Sequence, residues 1–230
     1  MKEKLPIRLE SGLILLYEDR DIIAVDKPAG LLSISTGSGR EKTAYLLLAE
    51  YLRKRGGKGA PPAVVHRLDK DTSGVMIFAR SGWVKKKLMD HWDEAVTERR
   101  YICVAEGEFP GTPGEETGLI DLPLGEDAGG RIVPMKNGKP ARTRWKLLKV
   151  RNGYSLLSLQ LETGRRNQIR AHLAALGHPV AGDTKYRAKT NPIRRLCLHA
   201  EKIALHHPRD GKLMEFTSPA PKSFEHILAT

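Results

Sequence analysis

The sequence predicts an α+β fold, with a mixed, largely antiparallel sheet and flanking helices. Apolar runs of strand length recur along the chain, and amphipathic segments with helical spacing interrupt them without a regular βα alternation. The length of 230 residues, 40% of them hydrophobic, is sufficient to bury one substantial core. Because no internal repeat or low-complexity linker divides the chain, we expect a single catalytic-sized domain over residues 1–230.

The N-terminal apolar runs predict a β-hairpin. Residues 13–17 and 22–25 have strand composition and flank a polar turn. The segment 27–30, Lys-Pro-Ala-Gly, should end the second strand because proline and glycine interrupt the hydrogen-bond ladder. Residues 41–55 then carry apolar side chains at helical spacing, which predicts a helix that the glycines of 56–59 end.

Two further strands and a second helix are predicted before residue 100. Residues 63–65 and 75–79 are apolar and enclose the charged loop 66–74. Ser81 is placed to cap a helix that runs to about residue 94 with one apolar face. We expect the tryptophans of the chain to pack in the core rather than to stack on nucleic-acid bases; they are Trp83, Trp92 and Trp145.

The second half of the chain is predicted to continue the sheet. Strands are expected over 101–105, 143–148 and 154–161, followed by a short helix over 166–176. The span 106–130 is rich in glycine and acid and contains no lysine or arginine, so we expect an exposed hairpin or loop there.

The net charge of +12 suggests a polyanionic partner. The excess is concentrated in residues 131–202, which carry 17 Lys/Arg and three acids, a balance of +14. Residues 1–130, with 19 basic and 21 acidic side chains, have a balance of −2. A solvated basic surface without a specific ligand is the alternative, but this asymmetry favours a nucleic-acid partner.

The cysteine content and the absence of long apolar stretches favour a reducing, aqueous compartment. Cys103 and Cys197 provide no disulfide framework, and both lie in apolar surroundings typical of core residues. The N-terminus lacks the apolar core of a signal peptide, and no stretch approaches the ~18 apolar residues of a membrane span. We therefore expect a soluble cytoplasmic protein with no membrane partner.

No metal or nucleotide motif is present. His172 and His178 are six residues apart, and no helical HExxH or CxxC pair occurs. Neither a GxxxxGK[ST] loop nor a strand-GxGxxG-helix unit is found, and Ser73 lacks a GxSxG elbow. The expectation is that the protein uses no metal, no organic cofactor and no nucleotide cofactor.

The densest polar cluster is the loop 66–74, His-Arg-Leu-Asp-Lys-Asp-Thr-Ser-Gly, between two apolar strands. Such a loop can hold Asp69 rigidly beside a cleft, and the adjacent Arg67 favours its ionised form. An ionised carboxylate can act as a nucleophile or base. A charged hairpin turn without catalytic function is an equally good interpretation of this stretch alone.

A second polar cluster, 163–172, lies within the basic segment. Gly164 can turn the chain, and the helix predicted to follow would direct its N-terminus toward anions. Arg166 and Arg170 are four residues apart and are therefore expected on one helix face, where they could bind phosphates or one phosphate and one carboxylate. A basic helix in solvent is the alternative.

These clusters resemble, in order along the chain, motifs of the RluA family of pseudouridine synthases. The matching segments are 21–30 (DIIAVDKPAG), 66–74 (HRLDKDTSG), 163–170 (TGRRNQIR) and 177–183 (GHPVAGD). Several motifs in family order are a strong signal, and they cover nearly the whole chain. The resemblance implies the pseudouridine synthase fold with a central RNA-binding cleft.

The resemblance also implies the residues of the site. Asp69 takes the place of the catalytic aspartate, Arg170 that of the arginine paired with it, and Tyr101 that of the tyrosine that contacts the target base. Leu198 would form an apolar wall, and Arg67 would contact a phosphate or fill the vacated stack. The remaining positions expected to bind substrate are His66, Arg165, Arg166, Asn167 and Gln168. Asn167 replaces the usual histidine, which predicts altered substrate contacts rather than lost chemistry.

The activity implied by the resemblance is conversion of uridine to pseudouridine in ribosomal RNA, transfer RNA or both. The C1′–N1 bond breaks and the base rejoins the ribose through C5, after the nucleotide has flipped into the pocket. Some relatives carry an S4 RNA-binding domain; since few residues precede the first hairpin, we expect a stand-alone catalytic domain without one. A monomer is the default expectation.

Two other functions are compatible with parts of the sequence. A non-catalytic RNA-binding or RNA-chaperone protein would use the same basic surface, but it would not need Asp69, Tyr101 and Arg170 together. A metal-dependent phosphodiesterase would use the histidines, but it lacks a recognisable ligand set.

Overall fold

A computed structural model describes residues 5–35, 37, 41–55 and 61–229. Thirteen strands lie in the described residues: β1 (Ile7–Arg8), β2 (Ile14–Glu18), β3 (Ile22–Lys27), β4 (Ala63–Val64), β5 (Ser73–Ala79), β6 (Val96–Glu106), β7 (Thr117–Asp121), β8 (Leu124–Glu126), β9 (Ile132–Pro134), β10 (Arg142–Arg151), β11 (Tyr154–Leu161), β12 (Leu198–His206) and β13 (Leu213–Thr217). The described α-helices are α1 (Ala44–Lys54), α2 (Gly82–Asp90), α3 (Trp92–Ala95), α4 (Gln168–Ala175) and α5 (Lys222–Ile227). The predicted α+β class is confirmed. The glycines of 56–59, predicted to end the first helix, lie outside the described residues.

The described chain divides into two compact units. One consists of residues 1–98 and 200–219, and the other of residues 99–199 and 220–230. The expectation of a single domain over the whole chain stays a prediction.

The sheet of the first unit is built around β5, which is fully buried, and β3, which is buried except at Asp26. Its strand order is β1-β2-β3-β5-β12, with β4 on β5 and β13 on β12. β2, β3 and β5 pair antiparallel, which confirms the predicted hairpin. Every residue of β5 is buried, so its run of Val, Met, Ile and Phe is continuous rather than alternating.

The register of β3 and β5 places different segments at the two ends of this strand pair. Lys27 pairs with Gly74 at one end, beside the loop that precedes β5. Ile22 pairs with Ala79 at the other end, beside the turn that joins β2 to β3 and the start of α2. The charged loop and α2 are therefore separated by the length of β5, ~20 Å at the usual rise per residue.

The second unit contains an antiparallel sheet in the order β6-β11-β10-β7 and a separate β8-β9 pair. Its core includes Leu147, Leu157 and Leu159 from the sheet, together with apolar side chains of α4 and α5. The strands predicted over 143–148 and 154–161 are confirmed. The span 106–130, expected to be a loop or hairpin, contains β7 and β8.

Two predicted helices have different bounds. The helix expected over 81–94 breaks at His91, which has φ −125° and ψ 34°, and continues as the short α3. The helix expected over 166–176 begins only at Gln168, because Asn167 adopts the left-handed conformation with φ 51°. The expectation that Arg166 and Arg170 share a helix face is therefore wrong, since Arg166 precedes the helix.

The tryptophan prediction is correct for two of the three residues. Trp92 and Trp145 pack against core clusters. Trp83 on α2 is 56% exposed and is not a core residue. No helix in the described part of the chain is long and apolar enough to cross a membrane.

Candidate functional site

The loop that carries Asp69 is fixed to the first unit through its backbone. The buried Lys27 ammonium donates hydrogen bonds to the carbonyl oxygens of Pro28, Leu31 and Lys70 at 3.0, 2.7 and 3.0 Å. The Gly30 N–H donates to the same Lys70 oxygen at 2.9 Å. The residue after Asp69 is thus held by two donors, one at the end of β3 and one three residues after it.

The residue before Asp69 is held as firmly. The Ser33 hydroxyl donates to the Leu68 oxygen at 2.7 Å and accepts from the Leu68 N–H at 3.2 Å. Within the loop, the Thr72 N–H donates to the backbone carbonyl oxygen of Asp69 at 3.2 Å and closes a tight turn. The Asp69 carboxylate therefore rests on a backbone fixed on both sides, and its side chain is half-buried.

The two ends of the loop contact the sheet of the first unit. His66 binds β5, and Gly74, at the start of β5, lies against Ala200 of β12. His66 Nε2 accepts from the Ile77 N–H at 2.9 Å, and its ring packs 5.3 Å from the Trp92 ring. Gly74 has φ +114°, and a Cβ there would lie 2.1 Å from the Ala200 oxygen, so only glycine fits. Arg67, between these anchors, is exposed. The predicted residues His66, Arg67 and Asp69 thus share one loop of the first unit.

The other predicted site residues lie in the second unit. Tyr101 is half-buried on β6, opposite Leu159 on β11, and packs against the core of that unit. Leu198 is 3% exposed, and its carbonyl oxygen accepts from Arg195 Nη2 at 3.3 Å. The positions of both side chains are therefore fixed by packing against the core of the second unit.

Arg170 forms a two-point ion pair with Asp183. Its Nε donates to Oδ2 at 2.7 Å and its Nη2 to Oδ1 at 2.8 Å, while the Asp183 side chain is 1% exposed. The guanidinium also lies 5.2 Å from the centre of the Tyr186 ring, and Asp183 Oδ1 accepts from the Tyr186 N–H. This arrangement fixes the plane of the guanidinium.

Gln168 is buried and its amide is used inside the protein. Its Oε1 accepts from the Thr163 hydroxyl at 2.7 Å and the Arg165 N–H at 3.0 Å. Its Nε2 donates to the Arg142 oxygen and the Thr143 hydroxyl, both at 3.0 Å. These four bonds lock the turn between β11 and α4, so Gln168 is placed to position neighbouring residues.

His172 extends this buried network with a defined tautomer. Its Nε2 must donate to the Leu122 oxygen at 3.0 Å, which leaves Nδ1 to accept from the Thr143 hydroxyl at 2.9 Å. Burial lowers the pKa of His172, which agrees with a neutral ring.

The remaining predicted substrate-binding residues lie on the surface of the second unit. Arg165 Nε donates to the Pro140 oxygen at 2.9 Å. Arg166 Nη2 donates to the Gly130 oxygen at 3.0 Å and pairs with Glu126 at 2.7 Å. Asn167 is half-buried, and its Oδ1 lies 3.5 Å from Lys185 Nζ.

Part of the positive charge in residues 131–202 is compensated locally. Glu162 forms ion pairs with both Arg142 and Arg144, and Arg142 also pairs with Asp121 at 3.3 Å. Lys146, two residues farther along β10, is exposed. Glu162 is already counted in the balance of +14, so only acids outside residues 131–202, such as Asp121, lower the net charge available to a polyanion in this region.

One group of possible metal ligands occurs in the described part of the chain. Oxygen and nitrogen atoms of Asp19, Asp21 and His207 lie within 4.8 Å of one another. Asp21 is already paired with Arg209, whose hydrogen bonds lower the pKa of that carboxyl. Asp19 Oδ1 accepts from the N–H groups of Asp21 and Ile22. These groups form a compensated polar network next to a cavity of about 700 Å³.

Sequence reasoning missed three residues that hold the site residues in place: Lys27, Ser33 and Asp183. Lys27 and Asp183 lie inside the recognised motifs, but nothing in a motif reveals that one anchors a loop and the other an arginine. A usable signal was the lysine at the end of the apolar run of β3, since a lysine buried in a strand must find hydrogen-bond acceptors.

Comparisons with known proteins agree on one family. Residues 21–175 match the model of the RNA pseudouridylate synthase family. An uncharacterized RNA pseudouridine synthase of Chloroflexus aurantiacus is 39% identical over 208 residues, covering 88% of this chain and 64% of that protein. Ribosomal large subunit pseudouridine synthase D of Nitrosomonas europaea is 33% identical over 228 residues, covering 94% of this chain and 64% of that protein. The chain thus spans somewhat less than two thirds of both relatives.

A solved structure supports the same fold. Human RNA Pseudouridylate Synthase Domain Containing 4 superposes with a TM-score of 0.72 at 22% identity, covering 92% of this chain and 90% of that one.

Proposed function

Because the chain belongs to the RNA pseudouridylate synthase family, we propose that it isomerises uridine to pseudouridine in RNA. The family resemblance predicted from the motifs is confirmed. In this reaction the C1′–N1 bond breaks and a C1′–C5 bond forms, while C5 loses a proton and N1 gains one. Atoms balance without an added reactant.

The rigid presentation of Asp69 is the observation that carries the proposal. Lys27, Gly30 and Ser33 fix the backbone on both sides of this residue, and its carboxylate stays half-buried. A carboxylate that is already oriented loses little entropy on reaching the ribose. Asp69 attacks or stabilises the ribose while the uracil is detached; ester formation, addition to the base and abstraction of a sugar proton are the three forms this role can take.

The roles of Arg170 and Tyr101 follow from the family resemblance. We propose that Arg170 keeps Asp69 ionised through a charge-assisted pair. Its fixed guanidinium plane, set by Asp183, supports a precise rather than a mobile contact. Tyr101 stacks on the uracil, and its phenol accepts the C5 proton. Leu198 forms the apolar wall, and Arg67 contacts a phosphate or fills the stack that the flipped base leaves.

The substrate we propose is structured ribosomal RNA, with transfer RNA as the second candidate. The name of the Nitrosomonas europaea relative states ribosomal large subunit activity for that protein. A stacked uridine hides its glycosidic bond, so the nucleotide must flip out to react. Both compact units carry proposed site residues, and we propose that residues 1–230 act as one catalytic domain.

Tritium release from RNA labelled at C5 of uridine tests this function. The wild-type protein should release tritium without strand cleavage, and Asp69→Asn should abolish release while leaving RNA affinity nearly unchanged. Asp71→Asn, an exposed carboxylate of the same loop, is the matched control and should retain activity. RNA binding without any tritium release by the wild-type protein would favour the non-catalytic alternative. Pseudouridine mapping of cellular RNA with and without the protein would then identify the target uridine.

A further inference from the structure

Trp83 on α2 is an exposed aromatic side chain flanked by two cations. We propose that Trp83, Lys87 and Arg209 form a second RNA contact, where an unpaired base stacks on the indole and the cations bind the adjoining phosphates. The inference rests on the proposed action on RNA, and it assigns a surface to nucleotides that flank the target uridine.

Helix α2 presents Trp83 to the outside. Val84 and Leu88 are buried at 1% exposure and hold the helix on the core, whereas Trp83 is 56% exposed. Lys87 is one helical turn from Trp83, and its Nζ lies 5.4 Å from the centre of the ring system. A tryptophan with an open surface and adjacent positive charge has the chemistry that single-stranded nucleic acid requires.

Arg209 is fixed beside the ring by a buried carboxylate. Its Cζ lies 5.7 Å from the Trp83 ring, while its Nε and Nη2 donate to Asp21 at 2.7 and 2.5 Å. Arg20 Nε lies 3.4 Å from the same carboxylate; the side chain of Arg20 is 71% exposed and that of Asp21 only 3%. One shielded acid thus orients two arginines, which lose less conformational freedom when a phosphate binds.

The neighbouring acids are engaged by a histidine. Asp19 Oδ2 lies 3.0 Å from His207 Nε2, and Asp210 Oδ1 lies 3.1 Å from His207 Nδ1. Asp19, Asp21 and Asp210 offset part of the local positive charge, and Lys87 and Arg209 are the cations that lie over the ring, where they can reach a phosphate next to a stacked base. The exposed indole favours a nucleic-acid strand over an acidic peptide, because the strand provides a base to stack on the ring beside its phosphates.

The position of Trp83 determines which nucleotides it can reach. The Asp69 loop precedes β5 and α2 follows β5, and the six-residue advance along this strand corresponds to ~20 Å. A base on Trp83 is therefore several nucleotides from a uridine at Asp69. The contact should increase affinity for RNA with unpaired flanking nucleotides and leave the chemical step unchanged.

Fluorescence and binding measurements on the full chain test the proposal. The probe is an oligouridylate of about 12 nucleotides, within the usual range for single-strand sites. We expect Trp83→Ala to weaken its binding about tenfold, as typical for one lost stacking contact. Trp83→Phe should retain most of the affinity but lose the tryptophan quenching that RNA causes. Met89→Ala, which removes a 51% exposed side chain from the same helix, is the control and should bind like wild type.

The outcomes separate this inference from the proposed function. Unchanged affinity and unchanged quenching in the Trp83 variants would overturn the second contact, even if tritium release continued normally. Quenching by polyglutamate but not by oligouridylate would also overturn it, in favour of a protein partner. Normal oligouridylate binding and quenching without tritium release would support the contact and contradict the proposed catalysis.

Discussion

Arg170 and Asp183 are joined by two hydrogen bonds, and the carboxylate that receives them is almost completely buried. Breaking this pair leaves a charged guanidinium without its counter-ion in a low-dielectric environment. Asp183→Asn should therefore lower the free energy of unfolding by about 3 kcal/mol. It should also reduce kcat, because the orientation of Arg170 is lost.

Urea denaturation and tritium release together check this prediction. Asp90→Asn is the matched control, because it breaks an exposed pair with Lys86 and should cost less than about 0.5 kcal/mol. Equal losses of unfolding free energy in the two variants would contradict the prediction, because the buried pair would then contribute no more to stability than the exposed one.

Lys27 anchors the Asp69 loop from inside the protein. Lys27→Met preserves the length of the side chain but removes all three hydrogen bonds to carbonyl oxygens. A displacement of the loop by about 1 Å would lower kcat by about 100-fold. RNA affinity should change little, since the buried ammonium cannot reach a phosphate.

Steady-state and single-turnover kinetics of Lys27→Met measure this effect. The control is Lys70→Met, which removes an exposed lysine from the same loop and leaves the Lys70 carbonyl in place. A kcat equal to that of wild type in Lys27→Met would mean that the loop keeps its geometry without the anchor.

Gly74 permits the close approach of two backbone segments. In Gly74→Ala the new Cβ would overlap the Ala200 carbonyl at 2.1 Å, and φ +114° is strained for any L-residue with a side chain. The free energy of unfolding should fall by about 3 kcal/mol or more. Gly82→Ala, with nothing within 4 Å of the new Cβ, should be neutral or slightly stabilising in the same denaturation experiment.

His172 makes stability depend on pH in a known direction. Burial lowers its pKa in the folded state, so the unfolded state binds more protons below pH ~6.5. Its contribution to stability is complete above that pH and is lost as the pH falls toward the lowered pKa. The slope can reach at most about 1.4 kcal/mol per pH unit for one proton.

Chemical denaturation of wild type and His172→Gln between about pH 8 and pH 5 isolates this contribution. This range brackets the ordinary histidine pKa of about 6.5. The difference in free energy of unfolding between the two proteins should shrink as the pH falls. A difference independent of pH would mean that the buried ring accepts a proton without penalty.

The sequence was sufficient to predict the strands and helices whose side chains show a clear period or form a continuous apolar run. Residues 22–25 of β3 and the whole of β5 are examples, because burial on both faces requires an unbroken hydrophobic segment. The position of Asp69 in a loop before β5 follows from the same pattern. The contacts that hold that loop could not be predicted, since Ser33 is 35 residues from Leu68 in the chain.

The positions where helices break or begin could not be predicted from the sequence pattern either. The apolar spacing of 81–94 continues through His91, but the structure starts a new turn there and packs Trp92 against the His66 ring. Gln168 illustrates a different difficulty, because glutamine is usually exposed and nothing nearby in sequence indicates four internal partners. Its capture of the Arg165 N–H is one reason that α4 begins later than predicted.

The two core cysteines have a practical consequence for optical work on this protein. Burial raises the pKa of the Cys197 thiol to about 12 and also raises that of Cys103, so neither forms a reactive thiolate near neutral pH. A maleimide dye should therefore attach almost exclusively to a cysteine introduced on the surface, for example through Lys70→Cys. Arrival of RNA at the loop could then be recorded in real time with a single fluorophore, on a chain that keeps both of its natural thiols.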